Sequence, residues 1–292
     1  MQIPFRLASL ARLGLLALGL SAGAGSALAQ PAACPQFFPG GQQPALVNPR
    51  LAQRTTLLCN DAYAALASGV THGPIWSAER PTAGSVGAAR DTVRASQFYA
   101  DPRLPPADQA QLEDYRRSGF DRGHMTPSGD MPNGQAQQQS FSLANMVPQT
   151  PELNRGVWAG IETAVRDLAA RQGELYVVTG PAFQGQQIQS IGANGVLVPS
   201  ATWKAIYSPR SGGTGVYVCA NTSKPRCGVV SVATLTSMVG IDPFPALPAK
   251  MKATAIALPT ADTGRHGSST QGRRQRQPGN LVEQLLGRLE GQ

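Results

Sequence analysis

The eleven residues from Asp121 to Met131, Asp-Arg-Gly-His-Met-Thr-Pro-Ser-Gly-Asp-Met, constrain this chain more than any other stretch. Glycine, proline, serine and aspartate at this density break regular structure, so the segment reads as a loop or a strand end. It holds His124. Of the other two histidines, His72 lies in a Thr-His-Gly-Pro turn and His266 in a polar tail. Histidine is the side chain whose ordinary pKa suits proton transfer near neutral pH, which makes His124 the candidate base.

The flanking pattern predicts short elements. Residues 55–90 alternate brief apolar runs with turn residues and read as strands joined by turns. Pro105-Pro106 leads into a short helix predicted over 107–115, and 140–147 is a brief apolar-polar alternation. Residues 153–170 are mostly good helix formers with Gly173 as a stop. "ELYVVTGPAF" predicts a buried strand, "GVLVPSATWKAIYSP" and "GTGVYVCAN" a further pair, and "VVSVATLTSMVGIDPFPAL" a last strand or a short helix. With no internal repeat and no linker before about residue 261, one α+β domain is expected, with a mixed, mainly antiparallel central sheet and helices.

At the N-terminus, Arg6 and Arg12 precede an apolar run from Leu13 to Leu20, and small residues lead to Ala27-Leu28-Ala29. This layout predicts a signal peptide over 1–29, cleaved after Ala29, and a secreted or periplasmic protein. The run is too short to span a bilayer, so no membrane association is expected. An oxidising compartment favours disulfides, and pairing of sequence neighbours is expected, Cys34 with Cys59 and Cys219 with Cys227. Residues 30–50, rich in Pro, Gln and Gly, read as an extended arm, 51–261 as the folded domain, and 262–292 as a disordered basic tail ending in a weakly amphipathic helix. The formal charge is +8, or +6 without Arg6 and Arg12, and only four of the 25 cations are lysine. Arginine's planar fork suits phosphate, although a genome rich in G and C would produce the same bias.

Within 153–170, Asn154, Trp158, Glu162 and Arg166 recur every four residues and form one slanting stripe on a helix. The stripe fits a surface helix with a Glu162–Arg166 pair and a half-buried Trp158. It also fits a site, because a base on a strand end followed about 30 residues later by a helical oxygen ligand is what a one-metal hydrolytic centre needs.

"SGFDRGHMTPSGDM" followed by "SLANMVPQTPELNRGVWAGIE" resembles the DNA/RNA non-specific endonucleases of the ββα-metal (His-Me finger) class. "RASQFYADPRLP", "LYVVTGPAF", "VPSATWKAIY" and "GIDPFPALP" extend the resemblance over about residues 51 to 250. It implies a metal-dependent phosphodiester hydrolase acting on DNA and RNA through the phosphate backbone and leaving 5′-phosphate ends. His124 would be the general base and Asn154 the direct ligand of Mg²⁺, with Mn²⁺ as the alternative. Glu162 would hold the ion's waters, and Arg94 and Arg166 would clamp the phosphate, with Arg90 near enough in sequence to fill the place of Arg94. Asp121, Arg122 and Asn145 would orient the loop and the base, or serve only as structural hydrogen-bonding groups. One departure from the family pattern is Arg155, which stands where a glutamine commonly follows the metal-binding asparagine. Its charge would either weaken Mg²⁺ binding or add a phosphate contact.

The chain lacks the Gly-x-Ser-x-Gly elbow of a serine hydrolase and any helix-turn-helix, zinc-finger or RRM pattern, so phosphate and sugar contacts are expected to dominate. A homodimer and an inhibitor protein stay open.

Overall fold

The two valines Val177 and Val178 are adjacent in one strand, point to opposite faces, and are both buried, so the sheet that carries them is covered on each side. The structure, a computed structural model, describes residues 33–94 and 97–261. The expected signal peptide and basic tail lie outside these residues. Among the described residues no helix is long and apolar enough to cross a membrane.

Regular structure starts with β1 (Ala45–Leu46), earlier than the predicted start of the domain. An antiparallel meander follows, β2 (Thr55–Cys59), β3 (Tyr63–Ser68) and β4 (Gly73–Glu79), and then Thr82 caps helix α1 (Ala83–Arg90) by accepting from Ser85 N at 3.0 Å. After α2 (Leu112–Tyr115) come β5 (Asp121–His124), α3 (Gly134–Ser140), β6 (Met146–Gln149) and α4 (Ala159–Gln172). The second half holds β7 (Tyr176–Ala182), the small β8 (Ser190–Ile191) and β9 (Val196–Leu197) hairpin, β10 (Ala201–Ser208), β11 (Gly213–Ala220), β12 (Cys227–Val230), α5 (Val232–Val239), β13 (Ile241–Asp242) and α6 (Ala249–Ala253). Seven strands form one sheet in the order β12-β11-β10-β7-β4-β3-β2, with every neighbouring pair antiparallel. The α+β expectation holds, and the segment predicted as a strand or a helix supplies both β12 and α5.

One face of the sheet packs Ile75, Trp76, Val178, Trp203 and Val218 against α5 and the N-terminal segment. The other packs Val177, Ile206 and Tyr217 against Leu153, Trp158, Ile161 and Val165. Alternation along β10 makes the point: Trp203 and Ala205 serve the first layer, Ile206 the second.

Three elements differ from expectation. The 30–50 arm is not simply extended, because two short 3-10 turns bury Phe37 and Phe38 in the first layer and a Cys34–Cys59 disulfide ties them to β2. The helix predicted over 107–115 is instead a 3-10 turn, Pro106–Asp108, and a separate helical turn whose start is capped by Asp114, accepting from Gln111 N at 2.7 Å. The helix predicted over 153–170 is interrupted: Leu153–Trp158 is a wide π turn, with Gly156 at φ −106, ψ −114, and α4 begins only at Ala159. The second disulfide, Cys219–Cys227, joins residues paired across β11 and β12.

Gly180 lies where β7 passes Trp203 and the β4 backbone. A Cβ there would stand 2.5 Å from Trp203 Cζ2 and 2.7 Å from Ile75 O. Gly180→Ala should therefore destabilise the fold by about 1–3 kcal/mol through overpacking, read as a lower midpoint in thermal or urea denaturation; an unchanged midpoint would show that the indole yields freely.

Candidate active site

The β5–β6 ladder places His124 opposite Met146 at its last rung, so the histidine sits where the strand gives way to the turn-rich segment. Gly123, one residue earlier, lies against buried Gln149, whose Cγ would meet an added Cβ at 2.5 Å. The Gly of the Asp-Arg-Gly-His run is thus required by a close approach.

What holds the turn is Asn145, which is fully buried. Its Nδ2 donates to Thr126 O and Ser140 O, both at 2.9 Å, and its Oδ1 accepts from Thr126 N at 3.0 Å and Ser77 Oγ at 2.8 Å. Its backbone O accepts from Met125 N at 2.9 Å. A carboxamide offers two donor protons and two acceptor lone pairs, and here all four are used. Asn145 does not line the groove; it fixes the backbone just past His124.

The imidazole is oriented by rings. The His124 and Phe141 centroids are 5.0 Å apart, edge to face, and Phe98 stands at 5.8 Å. Nε2 is buried with no hydrogen-bond partner among the described residues. Burial, followed by the nearby Arg94 charge, pushes the His124 pKa down to about 3, so the ring is neutral across the physiological range. No hydrogen bond orients the ring through Nε2. Aromatic packing takes that role, with the Arg94 and Arg122 guanidinium groups over Phe141 and Phe98 at 5.6 and 4.2 Å.

A groove of about 910 Å³ opens beside His124 and is also lined by Arg94, Asp121, Arg122, Asn154, Glu162 and Arg166. The interrupted helix alters the predicted stripe. Asn154, Glu162 and Arg166 reach the groove, whereas Trp158 is wholly buried against the sheet rather than half exposed. Nor do Glu162 and Arg166 form the expected pair: Arg166 Nη1 donates to Asp130 at 2.7 Å and Nη2 to Thr163 Oγ1 at 2.9 Å. Arg90 lies 4.0 Å from Asp167 on the exposed side of α1 and α4, so Arg94 is the one of the two that lines the groove.

Asp121 accepts from Asn154 Nδ2 at 3.0 Å. Only the amide nitrogen can donate to a carboxylate, and Asn154 Oδ1 has no protein partner among the described residues. Arg155 grips the same carboxylate with Nε at 2.7 Å and Nη2 at 2.5 Å. Burial pushes the Asp121 carboxyl up, but Arg155 and Asn154 outweigh it and hold it below the usual range. The departure at Arg155 therefore has a local account: its charge is matched by Asp121.

Glu162 has no protein hydrogen bond among the described residues. Burial raises its carboxyl to about 7, with Asp130 also raising it and Lys204, Arg166 and Arg94 opposing. No cluster of three His, Cys, Asp or Glu side chains suited to a metal exists among the described residues. The donors that do face the groove, an amide oxygen and a carboxylate, are hard oxygens of the kind Mg²⁺ takes alongside several waters. These residues fit such an ion.

Sequence reasoning overlooked Asp130, the buried partner of Arg166, and the rings of Phe98 and Phe141. Asp130 lies in the same turn-rich segment as His124 and could have been found there; the two phenylalanines carry no local signal.

Residues 44–250 match the DNA/RNA non-specific endonuclease family. The chain is 35% identical over 165 residues to "Nuclease 1, mitochondrial" of Schizosaccharomyces pombe, covering 52% of this chain and 51% of that protein. It is 39% identical over 125 residues to "Nuclease EXOG, mitochondrial" of Homo sapiens, covering 39% and 34%. The chain thus spans about half the length, or less, of these relatives. Among solved structures, an EndoG/EndoGI complex described as showing the mechanism of EndoG inhibition is similar with TM-score 0.59 and 26% identity, covering 67% of this chain and 88% of that one. The expected secreted or periplasmic location is corrected by these findings, since relatives from fission yeast, zebrafish, human and budding yeast are all named mitochondrial. The cue that misled is chemical: residues 1–29 carry two arginines, serines and no acid, a composition shared with mitochondrial transit peptides.

The raised carboxyl of Glu162 predicts a pH effect. The unfolded chain ionises this group near 4.5 and the metal-free fold only near 7, so its contribution to stability is full below pH 4.5 and is lost as pH rises through 7. In EDTA at pH 8, Glu162→Gln should be more stable than wild type by about 1–3 kcal/mol in urea denaturation, and the gain should vanish near pH 4.5. Wild type being the more stable at pH 8 would mean that the ionised carboxylate has a partner in the fold.

Proposed function

The chain belongs to the DNA/RNA non-specific endonuclease family, and on that premise we propose that it is a Mg²⁺-dependent enzyme that cuts DNA and RNA within the strand, leaving 5′-phosphate and 3′-hydroxyl ends. The observation that carries the proposal is convergence. A neutral imidazole at the end of β5, an amide oxygen in the wide turn before α4 and an arginine on α4 all meet one groove.

In this reading the scissile phosphate lies in the groove between Arg94 and Arg166. Arg166 is held by buried Asp130, so its guanidinium is positioned before substrate arrives and loses little side-chain freedom on binding. His124 takes the proton of the attacking water; its ring is neutral at physiological pH and so has a lone pair to accept it. Asn154 Oδ1 would hold the divalent ion directly and Glu162 would accept from the ion's waters, with Asp121 fixing the amide of Asn154. The ion, when bound, supplies positive charge that offsets charge building on the phosphate and the departing 3′ oxygen. Contacts of this kind address the sugar-phosphate strand rather than base edges, consistent with low sequence selectivity. The inhibitor complex of the structural neighbour supports an inhibitor protein for this chain too, one that would compete for the arginine-lined groove.

Purified protein should degrade plasmid DNA and RNA with Mg²⁺ and not with EDTA, and His124→Ala should lower the rate by on the order of 10²–10⁴ while leaving the fold intact by circular dichroism. Retardation of nucleic acid in a gel without cutting would replace the proposal with a binding protein. Asn154→Ala should raise the Mg²⁺ concentration needed for half-maximal rate, and an unchanged Mg²⁺ titration would remove Asn154 from the ion. Rates should fall as salt rises because phosphate contacts release counterions on binding; a flat salt profile would argue against the arginine clamp.

A further inference from the structure

We infer that Lys204 is a positioning residue of the groove: from within the sheet it holds the loop that follows His124 in register with the helical turn that leads to Glu162. The inference rests on the roles given to His124 and Glu162 above.

Lys204 sits in the middle of β10 and is 1% exposed. Its neighbours Trp203 and Ala205 face the other layer, so the lysine points alone into the layer beneath the groove. Its Nζ donates to Thr179 Oγ1 at 2.7 Å, on adjacent β7, and to Met125 O at 3.3 Å, the carbonyl immediately after His124. It also lies 5.6 Å from the ring centroid of Trp158, the residue that closes the wide turn, one helical turn before Glu162. A single nitrogen therefore touches the sheet, the base-bearing loop and the ligand-bearing helix.

Burying a lysine costs several kcal/mol, and an apolar residue of similar volume is often as stable or more so. Stability alone does not account for it. Charge balance is part of its role, since Lys204 opposes the burial that raises the carboxyls of Glu162 and Glu79, but it is incomplete as an account: Asp130 already has Arg166, and the Glu79 carboxyl stays well raised despite the lysine. What remains unexplained is the carbonyl of Met125, which no apolar side chain could hold and whose position sets that of His124.

Three variants of the full chain separate these accounts: Lys204→Met, Lys204→Gln, and Lys204→Met combined with Glu79→Gln. Steady-state kcat and KM on duplex DNA with Mg²⁺ and the thermal midpoint are measured for each. Lys204→Met should lower kcat on the order of 10- to 100-fold with KM changed by no more than about twofold, because misplacement of the base affects the transition state more than binding. Lys204→Gln, which keeps an N–H donor, should recover part of kcat. The double variant should match the single one in thermal midpoint and keep its low kcat. The inference is overturned if Lys204→Met keeps wild-type kcat, or if the double variant restores kcat together with the midpoint, which is the behaviour of charge balance alone. Should Lys204→Met fail to fold, the Gln and double variants carry the same comparison. A wild-type chain that does not cut sinks the nuclease reading of the site and this inference with it; wild-type cutting with unaffected variants sinks only this inference.

Discussion

Everything at the groove depends on the four hydrogen bonds of one buried carboxamide. Asn145 ties Thr126 on one side to Ser77 in the sheet and Ser140 at the end of α3 on the other. A buried amide that lost one of these partners would leave an unsatisfied polar group at a cost of about 1–3 kcal/mol, so the loop has one favourable geometry and few near alternatives. That geometry leaves His124 at the lip of the groove, with Phe141 against its ring.

The electrostatics follow from the same arrangement. Arginines dominate the groove lining, but three of them are answered by carboxylates: Arg116 by Glu113, Arg155 by Asp121 and Arg166 by Asp130. Arg94 and Arg122 are instead seated over phenylalanine rings. A cation over a ring keeps its positive field for an incoming anion, whereas a carboxylate partner cancels part of it. The groove thus combines arginines fixed in place by acids with arginines whose charge stays available, a sensible division for a site that must both orient a phosphate and attract it.

Much of this was legible in the linear order of residues. The apolar runs of β7, β10 and β11, the stop at Gly173 and the pairing of neighbouring cysteines are local properties, and they came out where local chemistry places them. The break at Gly156 was not legible, because good helix formers on both sides outweigh one glycine until packing of Trp158 against the sheet demands a wider turn. The fate of Trp158 and of the Arg166 side chain likewise depended on partners far away in sequence.

Residue identity and order were enough to single out the candidate side chains, since an imidazole in a turn-rich segment and an amide some thirty residues on are recognisable wherever they fold. Folding settled the rest: that rings rather than a hydrogen bond orient His124, that Asp121 occupies Arg155, and that a lysine lies beneath the groove. These contacts join residues 17 to 79 positions apart. Their energies depend on burial and distance, which spacing along a chain does not encode.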